Sequence, residues 1–220
     1  MAIFFGSRVD AARRLAKALA GFRGRNPLVL AIPRGAVELG RVVADELGGE
    51  FDIVLVRKLR SPISPELAVG SIDESGWAYV AAHAAAAGAD AAYLEQEKQR
   101  QLETLRKRRA LYTPNRPPIG AKGRIAIVVD DGLATGATMI AALHAARAMQ
   151  PQLLVCAVPV AAVESLERVR PYADELLCLE TPEDFRAVGR FYGEFHQVED
   201  EEVIVLLSEQ PSKAHQGAIR

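Results

Sequence analysis

The segment that most constrains the fold of this chain is an apolar run that ends in two adjacent aspartates, 125–131. The run shows no alternation of apolar and polar residues, which is typical of a parallel strand buried on both faces. A turn rich in Gly, Ala and Thr follows at 132–138, where a helical pattern begins. A strand, a tight turn and a helix in this order predict one unit of an α/β sheet.

The same alternation of strand and helix patterns recurs along most of the chain. Strands that alternate with helices usually pair in parallel, so the pattern predicts an α/β fold with an open, mostly parallel sheet and helices on both faces. The predicted strands are 28–32, 51–56, 124–129, 153–158 and 175–179. The predicted helices are 8–20, 36–47, 135–149 and 161–169, and a last strand or helix is predicted at 203–207.

One stretch of the chain interrupts this alternation. Residues 59–65 contain two prolines and two serines and are predicted to form an irregular, mobile loop. Residues 67–72 and 77–81 flank a polar Asp-Glu-Ser-Gly turn and are predicted to pair as a β-hairpin. Residues 90–112 are predicted to form one long, charged helix, followed by a proline-rich connection.

The composition allows a single α/β domain and disfavours several classes of partner. The chain has 220 residues, half of them hydrophobic, and a net charge of −1, which does not favour nucleic acid or a membrane. No apolar run approaches the roughly 20 residues of a membrane span, and the first residues do not resemble a signal peptide. Cys156 and Cys178 lie in strand-like runs, which favours buried thiols and a reducing cytoplasm.

Three predicted strands are followed by turns that could bind a ligand. They are a Pro-Arg-Gly turn at 33–35, the pair Arg57-Lys58, and the segment 130–138. Ligands of open parallel sheets bind outside the carboxyl ends of the strands, so these groups are expected to meet at one edge. Each of these segments alone could be an ordinary surface turn, and only their coincidence indicates a site.

The segment 130–138 has the chemistry to bind a sugar phosphate. Backbone N–H groups in a small-residue turn at the start of a helix favour a phosphate group. Asp130 and Asp131 can accept hydrogen bonds from vicinal ribose hydroxyls. No Gly-Lys-Ser/Thr sequence follows, so the segment is not a Walker A loop.

The same residues resemble a known family of enzymes. Segment 125–138 is similar to the signature of type I phosphoribosyltransferases, in which an apolar run, two acidic residues and a small-residue loop with two hydroxyl residues follow one another. Residues 31–36 are similar to the pyrophosphate loop of the family, although an alanine stands where a second glycine is common. Residues 56–70 and 190–195 are similar to a branch of bacterial phosphoribosyltransferases without a settled substrate. In all, the resemblance covers roughly 4–207.

The resemblance implies a fold and a reaction. It implies one domain over 1–220, with a flexible insertion at 59–118, part of a small hood at 181–207 and a frayed tail at 208–220. The reaction would transfer the 5-phosphoribosyl group of phosphoribosyl pyrophosphate (PRPP) to a nitrogenous base or similar acceptor. Pyrophosphate would leave, Mg²⁺ would be the cofactor, and the loop at 59–65 and the hairpin would close over the site.

The resemblance also assigns roles to residues. The implied PRPP-binding residues are Asp130, Asp131, Gly132, Leu133, Ala134, Thr135, Gly136, Ala137 and Thr138. The implied pyrophosphate-binding residues are Pro33, Arg34, Gly35, Arg57 and Lys58. Asp130 and Asp131 would hold the ribose hydroxyls, directly or through Mg²⁺. With Arg57 and Lys58 they form the predicted catalytic set, because cations beside the pyrophosphate stabilise the negative charge that builds on it.

The acceptor is less well indicated. Family members that act on 6-oxopurines carry an Asp just before the Thr-Gly of the loop, and Ala134 in that slot argues against such an acceptor. Candidates for a proton acceptor are Glu66, Asp73 and Glu74. Candidates for stacking on a planar base are Phe185, Phe191, Tyr192 and Phe195, which could instead pack the tail onto the sheet.

Two other hypotheses for the function stay open at this stage. One is a PRPP or nucleotide sensor on the same fold without turnover, and the other is an unrelated α/β protein whose aspartates bind Mg²⁺ for phosphoryl chemistry. The basic run at 106–109 is interpreted as a solvated helix end rather than a nucleic-acid site. A homodimer also stays open.

Overall fold

The computed structural model describes residues 3–114 and 117–208. Six α-helices are formed by Arg8–Ala18 (α1), Ala36–Leu47 (α2), Ala91–Tyr112 (α3), Ala137–Ala148 (α4), Val163–Val169 (α5) and Asp200–Ser208 (α6) in these ranges. Eight strands are formed by Leu28–Ala31 (β1), Glu50–Ile53 (β2), Val56–Arg60 (β3), Ala68–Asp73 (β4), Ala78–Val80 (β5), Ile125–Val129 (β6), Leu153–Val160 (β7) and Glu175–Glu180 (β8). The tail predicted at 208–220 lies outside the described residues, apart from Ser208.

The larger sheet has five strands in the order β2-β1-β6-β7-β8, and every neighbouring pair is parallel. Ile127 and Val129 pack on one face with residues of α1 and α2, whereas Val128 packs on the other with residues of α4. Both faces of β6 are therefore buried, which explains why the run shows no alternation. The predicted open parallel sheet with helices on both faces is confirmed.

A second, smaller sheet is antiparallel and has the order β3-β4-β5. The predicted hairpin is present as β4 and β5, which join across a turn at 74–77. The prediction that the second strand covers 51–56 and ends at Arg57-Lys58 is wrong, because β2 ends at Ile53 and the two basic residues lie inside β3. The apolar run across this break contains no Gly, Pro or Asn, so the sequence carries no signal that the chain changes sheets there.

The smaller sheet is packed against α3 and α4. Leu59 and Ile72 are buried in a cluster that includes Leu105 of α3. The buried Ser71 hydroxyl donates to the carbonyl of Ala137 at the start of α4 (2.6 Å). The loop predicted at 59–65 is wrong for its first two residues, which lie in β3 because they pair with β4.

The N-terminal segment is joined to the segment 191–193 by backbone hydrogen bonds. The N–H groups of Phe4 and Phe5 both donate to the carbonyl of Phe191 (3.0 Å each), and Gly193 N–H donates to the carbonyl of Phe5 (2.8 Å). Beyond this junction, α6 packs against α2 and α3. None of the helices in the described ranges is long and apolar enough to cross a membrane. Cys156 and Cys178 are free thiols, and Cys156 is buried in β7.

Candidate functional site

A cleft of about 260 Å³ lies at the carboxyl ends of β1 and β6. Pro33 and Gly35 line it after β1, and Lys58 lines it from β3. The segment that follows β6 supplies most of the remaining wall, with Asp130, Asp131, Gly132, Leu133, Ala134, Thr135, Gly136 and Thr138. The structure therefore brings residues from all three predicted segments together at one edge of the larger sheet.

The turn between β6 and α4 is held in a fixed shape by α5. Ser165 Oγ donates to the carbonyl of Ala134 (2.8 Å), and Arg168 Nη1 donates to the carbonyl of Thr135 (2.8 Å). Gly136 precedes α4 with φ of +79°, and a Cβ there would lie 2.9 Å from Val169 Cγ2. Two carbonyls of the turn are thus bound by α5. The first N–H groups of α4 have no partners within the helix, as an anion site requires.

The two aspartates are held by different partners. Asp130 Oδ1 accepts the N–H of Asp131 (2.9 Å). Asp131 Oδ2 accepts two hydrogen bonds from Arg8, from Nε at 3.1 Å and from Nη2 at 3.0 Å. The hydroxyl of Tyr192 donates to the main-chain carbonyl of Asp131 (2.6 Å). Asp131 is thus fixed through its side chain and its backbone, and 14% of its side chain remains exposed.

Burial dominates the ionisation of this pair. It raises the pKa of Asp130 well above the ordinary value of a carboxyl, and the charge of Asp131 raises it further, whereas Lys58 and Arg8 oppose the rise. Burial also raises the pKa of Asp131, and there Arg8 opposes it through its charge and its hydrogen bonds. A cation bound at the pair would favour the ionised form of both groups.

The turn after β1 divides between two clefts. Gly35 reaches the first cleft, and a Cβ on it would collide with Asp131 Oδ2. Arg34 faces an adjoining cleft of about 400 Å³, which shares Gly35 and Asp131 with the first. Its Nη1 lies 3.0 Å from Glu199 and 3.6 Å from Asp200 at the start of α6. Of the predicted pyrophosphate turn, Pro33 and Gly35 line the first cleft and Arg34 is paired with carboxylates beside it.

Arg57 and Lys58 point in opposite directions because successive residues of a strand alternate between its faces. Lys58 lies on the same face as Val56, towards the cleft and α4. Arg57 lies on the face of Leu59, towards α3, where its Nε donates to Gln101 Oε1 (3.0 Å). The structure therefore places Lys58 in the cleft and Arg57 behind it.

The predicted aromatic residues lie mostly in the core. Phe191 and Tyr192 are 3% and 4% exposed, and their rings lie 5.5 Å and 5.3 Å from those of Phe4 and Phe5. Phe185 contacts Phe191 (5.3 Å), while Phe195 is 40% exposed at the second cleft. In these positions Phe191 and Tyr192 pack against the N-terminal segment, and stacking of a base on them stays a prediction.

The predicted proton acceptors lie in or near the hairpin. Asp73 is buried and accepts hydrogen bonds from Ser75, Trp77 and His144, and Glu74 pairs with Arg109 of α3. Glu66 stands in the turn before β4. None of these three carboxyls lines either of the two clefts. Arg109 lies in the basic run predicted to be a solvated helix end, and it binds the hairpin through Glu74.

Arg8 and Val188 belong to the site although no sequence motif marks them. The sequence pattern places Arg8 only at the start of a helix, yet Arg8 binds Asp131, which is 123 residues away in the chain. Val188 lines the first cleft, and a Cβ on Gly132 would lie 2.7 Å from its Cγ1. No local pattern marks either residue, because each depends on a contact between distant parts of the chain.

The comparison with known proteins agrees with this geometry. The family model of the phosphoribosyl transferase domain matches residues 6–195. The chain belongs to this family. The prediction of a phosphoribosyltransferase is confirmed at that level, and the matched range includes β1 to β8 and the walls of the first cleft.

Two relatives from Mycobacterium tuberculosis are named, provisionally, as phosphoribosyl transferases. They are Rv0571c of strain H37Rv and MT0597 of strain CDC 1551, each 42% identical over 205 residues, which is 92% of this chain and 46% of the relative. The chain thus spans about half the length of these curated relatives. The solved structure of TT1426 from Thermus thermophilus is 44% identical, with a TM-score of 0.78 over 94% of this chain and 98% of that one. This phosphoribosyl transferase fold therefore has a solved counterpart along nearly its whole length.

Proposed function

We propose that the protein transfers the 5-phosphoribosyl group of PRPP to a small nitrogenous acceptor and releases pyrophosphate. The observation that carries this proposal is the convergence of three groups on one cleft of about 260 Å³: the turn that opens α4, the pair Asp130 and Asp131, and Lys58. These groups match a 5′-phosphate, a ribose diol and a pyrophosphate in the order in which PRPP presents them.

The geometry supports a specific placement of PRPP. The 5′-phosphate would bind the N–H groups and hydroxyls of 132–138, where Thr135 and Thr138 line the cleft. The ribose hydroxyls would donate to the two aspartates. The pyrophosphate would then lie towards Gly35 and Lys58. Bond breaking at C1 places negative charge on the pyrophosphate, so a fixed ammonium at Lys58 favours the transition state over the ground state.

The donor set fits Mg²⁺. Within the described ranges no three or more His, Cys, Asp or Glu side chains converge as a metal site, so the protein would offer two carboxylates. Mg²⁺ is commonly held in this way, by one or two carboxylates together with substrate phosphates and water. When bound, it would neutralise charge on the pyrophosphate.

The acceptor is proposed to be a base other than a 6-oxopurine. Ala134 occupies the slot in which the 6-oxopurine members of the family carry an acid, and it is exposed at the cleft. Val188 faces the same cleft from the predicted hood and offers an apolar contact for a planar ring. A cytoplasmic location and a homodimer stay predictions.

Calorimetry with PRPP and Mg²⁺ tests the proposal. Asp130→Asn and Asp131→Asn should each weaken binding by about 100-fold, because they remove charge from the cation and diol site. Asp174→Asn is the matched control, since Asp174 precedes β8 at the opposite end of the sheet and pairs with Arg147 (2.8 Å). A wild-type protein that binds neither PRPP nor ribose 5-phosphate with Mg²⁺ present would contradict the proposal.

A second candidate function has its own observation. Arg34 and Arg57, two of the three cations predicted for the pyrophosphate, are bound to Glu199 and Gln101 outside the first cleft. That arrangement also suits a protein that binds PRPP or a nucleotide without turnover. Pyrophosphate release, measured across a panel of purine and pyrimidine bases, separates the two functions. Release of pyrophosphate with at least one base supports the enzyme. Binding of PRPP without release of pyrophosphate in the presence of every base supports the sensor.

A further inference from the structure

Arg8 is a buried arginine whose contacts all lead to the candidate site. It begins α1 and is 4% exposed. Its Nε and Nη2 donate to Asp131 Oδ2, its Nη1 donates to the carbonyl of His196 (2.8 Å), and its guanidinium lies 4.0 Å from the ring centre of Phe195. Each of its three nitrogens therefore has a partner, and one face of its plane is covered by a ring.

An arginine in this setting is a fixed group rather than a mobile ligand-binding one. A buried arginine requires a nearby anion, and Asp131 provides it through two hydrogen bonds. Its planar fork makes the two bonds to one carboxylate oxygen in a single orientation, which a lysine cannot reproduce. The side chain consequently defines where the Asp131 carboxylate points.

The space around Asp131 leaves little freedom for another orientation. Gly35 approaches the carboxylate so closely that a Cβ would collide with Oδ2, and that Cβ would also lie 3.4 Å from Arg8 Nη2. The Tyr192 hydroxyl holds the backbone of the same residue from the tail. Because Arg8 binds Oδ2, a ligand would contact this aspartate through Oδ1.

We propose that Arg8 is a positioning residue, which aims the Asp131 carboxylate at the ribose diol and its metal ion and joins it to the tail at 195–196. The inference rests on the proposed function, because it assigns Asp131 to the ribose. Arg8 itself touches no substrate in this arrangement. Through His196 and Phe195 it makes the ribose half of the site depend on the segment that borders the second cleft.

The test compares Arg8→Met and Arg8→Lys with a matched change on the same helix. Arg14→Met is that control, because Arg14 is exposed and pairs with Asp10 (2.9 Å). Calorimetry uses two probes, PRPP with Mg²⁺ and inorganic phosphate, which needs only the turn at 132–138. Both Arg8 variants should bind PRPP about 10-fold or more weakly and phosphate within about 2-fold of wild type, as expected when a partner of a ligating carboxylate is lost. Arg14→Met should match wild type with both probes.

A double-mutant cycle with Asp131→Asn separates positioning from a general structural role. If Arg8 acts through Asp131, the double variant binds PRPP no more weakly than Asp131→Asn alone. Thermal unfolding is measured first, and the cycle uses Arg8→Lys if Arg8→Met fails to fold. Additive losses, an equal loss of phosphate binding, or unchanged PRPP binding in both Arg8 variants would each overturn the inference while the proposed function stands. A wild-type protein that binds no PRPP would remove the proposed function, and this inference with it.

Discussion

The two sheets of this molecule contribute to the cleft in different ways. The larger parallel sheet contributes through the turns at its strand ends, where Gly35 and the segment 130–138 meet. The smaller antiparallel sheet contributes one side chain from within a strand, Lys58 of β3. The contribution of the larger sheet can be predicted from which residues directly follow a strand. The contribution of the smaller sheet depends on which face of its strand a residue lies on.

The largest effect is expected where two turns of the parallel sheet approach each other. Gly35→Ala places a Cβ against Asp131 Oδ2, so the turn or the carboxylate must move. PRPP binding should fall by up to about 100-fold, because the Asp131 carboxylate loses the position in which it would hold the ribose and the metal ion. Calorimetry with PRPP and Mg²⁺ measures the change.

Gly21→Ala is the control for this substitution. Gly21 is exposed, and a Cβ there would meet nothing within 4 Å. Its PRPP affinity and melting temperature should stay close to those of wild type. If Gly35→Ala bound PRPP equally well, the ends of the parallel strands would not set the geometry of the cleft.

A smaller effect is expected from the antiparallel sheet. Lys58→Met removes the ammonium that lines the cleft and should weaken PRPP binding by about 10-fold, while ribose 5-phosphate, which lacks the pyrophosphate, should change little. Arg57→Met removes a neighbouring cation of the same strand that faces Gln101, and its effect should be about 2-fold. Equal losses of PRPP affinity in the two variants would show that the face of β3 on which a cation lies does not decide whether it binds the ligand.

The contact between the smaller sheet and α4 should matter more for stability than for binding. Ser71→Ala removes a buried hydroxyl that donates to the carbonyl of Ala137, at a cost of about 1–2 kcal/mol in the free energy of unfolding. Ser208→Ala is the control, because its hydroxyl donates to Val205 at an exposed helix end. Urea unfolding compares the two, and a Ser71 variant as stable as the control would mean that the sheet docks through its apolar residues alone.

The smallest expected effect is a difference in thiol reactivity between β7, an interior strand of the parallel sheet, and β8 at its edge. Burial raises the pKa of the Cys156 thiol in β7 strongly, and it raises the pKa of Cys178 in β8 to about 11. Both thiols should therefore be protonated and slow to react at pH 8, because the thiolate is the reactive form. Labelling with a thiol reagent should be faster for Cys178 and should accelerate as the pH rises towards 11.

The raised pKa values of the two thiols also make the stability of the fold depend on pH. A group whose pKa is higher in the folded state contributes stability that is complete below its unfolded pKa and is lost as the pH rises through the folded value. The contribution of Cys178 should thus decline between its ordinary value, near 9, and about 11. Equal labelling rates for the two thiols at pH 8 would contradict the difference between centre and edge.

The sequence predicts the parallel sheet and the turn at 130–138 because the signals for both are local. Five apolar residues, two acids and a small-residue turn specify a strand end and a helix start within 14 residues. The placement of Arg57 and Lys58 failed because the chain changes sheets inside an apolar run, at Val54 and Leu55, with no residue that marks a turn.

The rest of the site depends on contacts between distant segments. Nothing in the local sequence distinguishes Arg8 from other residues at the start of a helix. Its role follows only from the position of Asp131 in space. Phe191 and Tyr192 carry an aromatic signal that suits a base or a core equally well. Their burial against Phe4 and Phe5 reflects a contact between two distant segments that no periodicity reveals.

The pairing of Arg8 with the tail sets an order of events during synthesis. The guanidinium is made 123 residues before its carboxylate and 188 residues before the carbonyl of His196 that completes its bonds. At about 5–20 residues per second, the second interval is roughly 10–40 s. Later in that interval the turn that opens α4 is made, followed by the residues Ser165 and Arg168 that hold it, so this turn can form before His196 completes the bonds of the arginine. The phosphate-binding half of the cleft can therefore form during synthesis before the half that holds the ribose is complete.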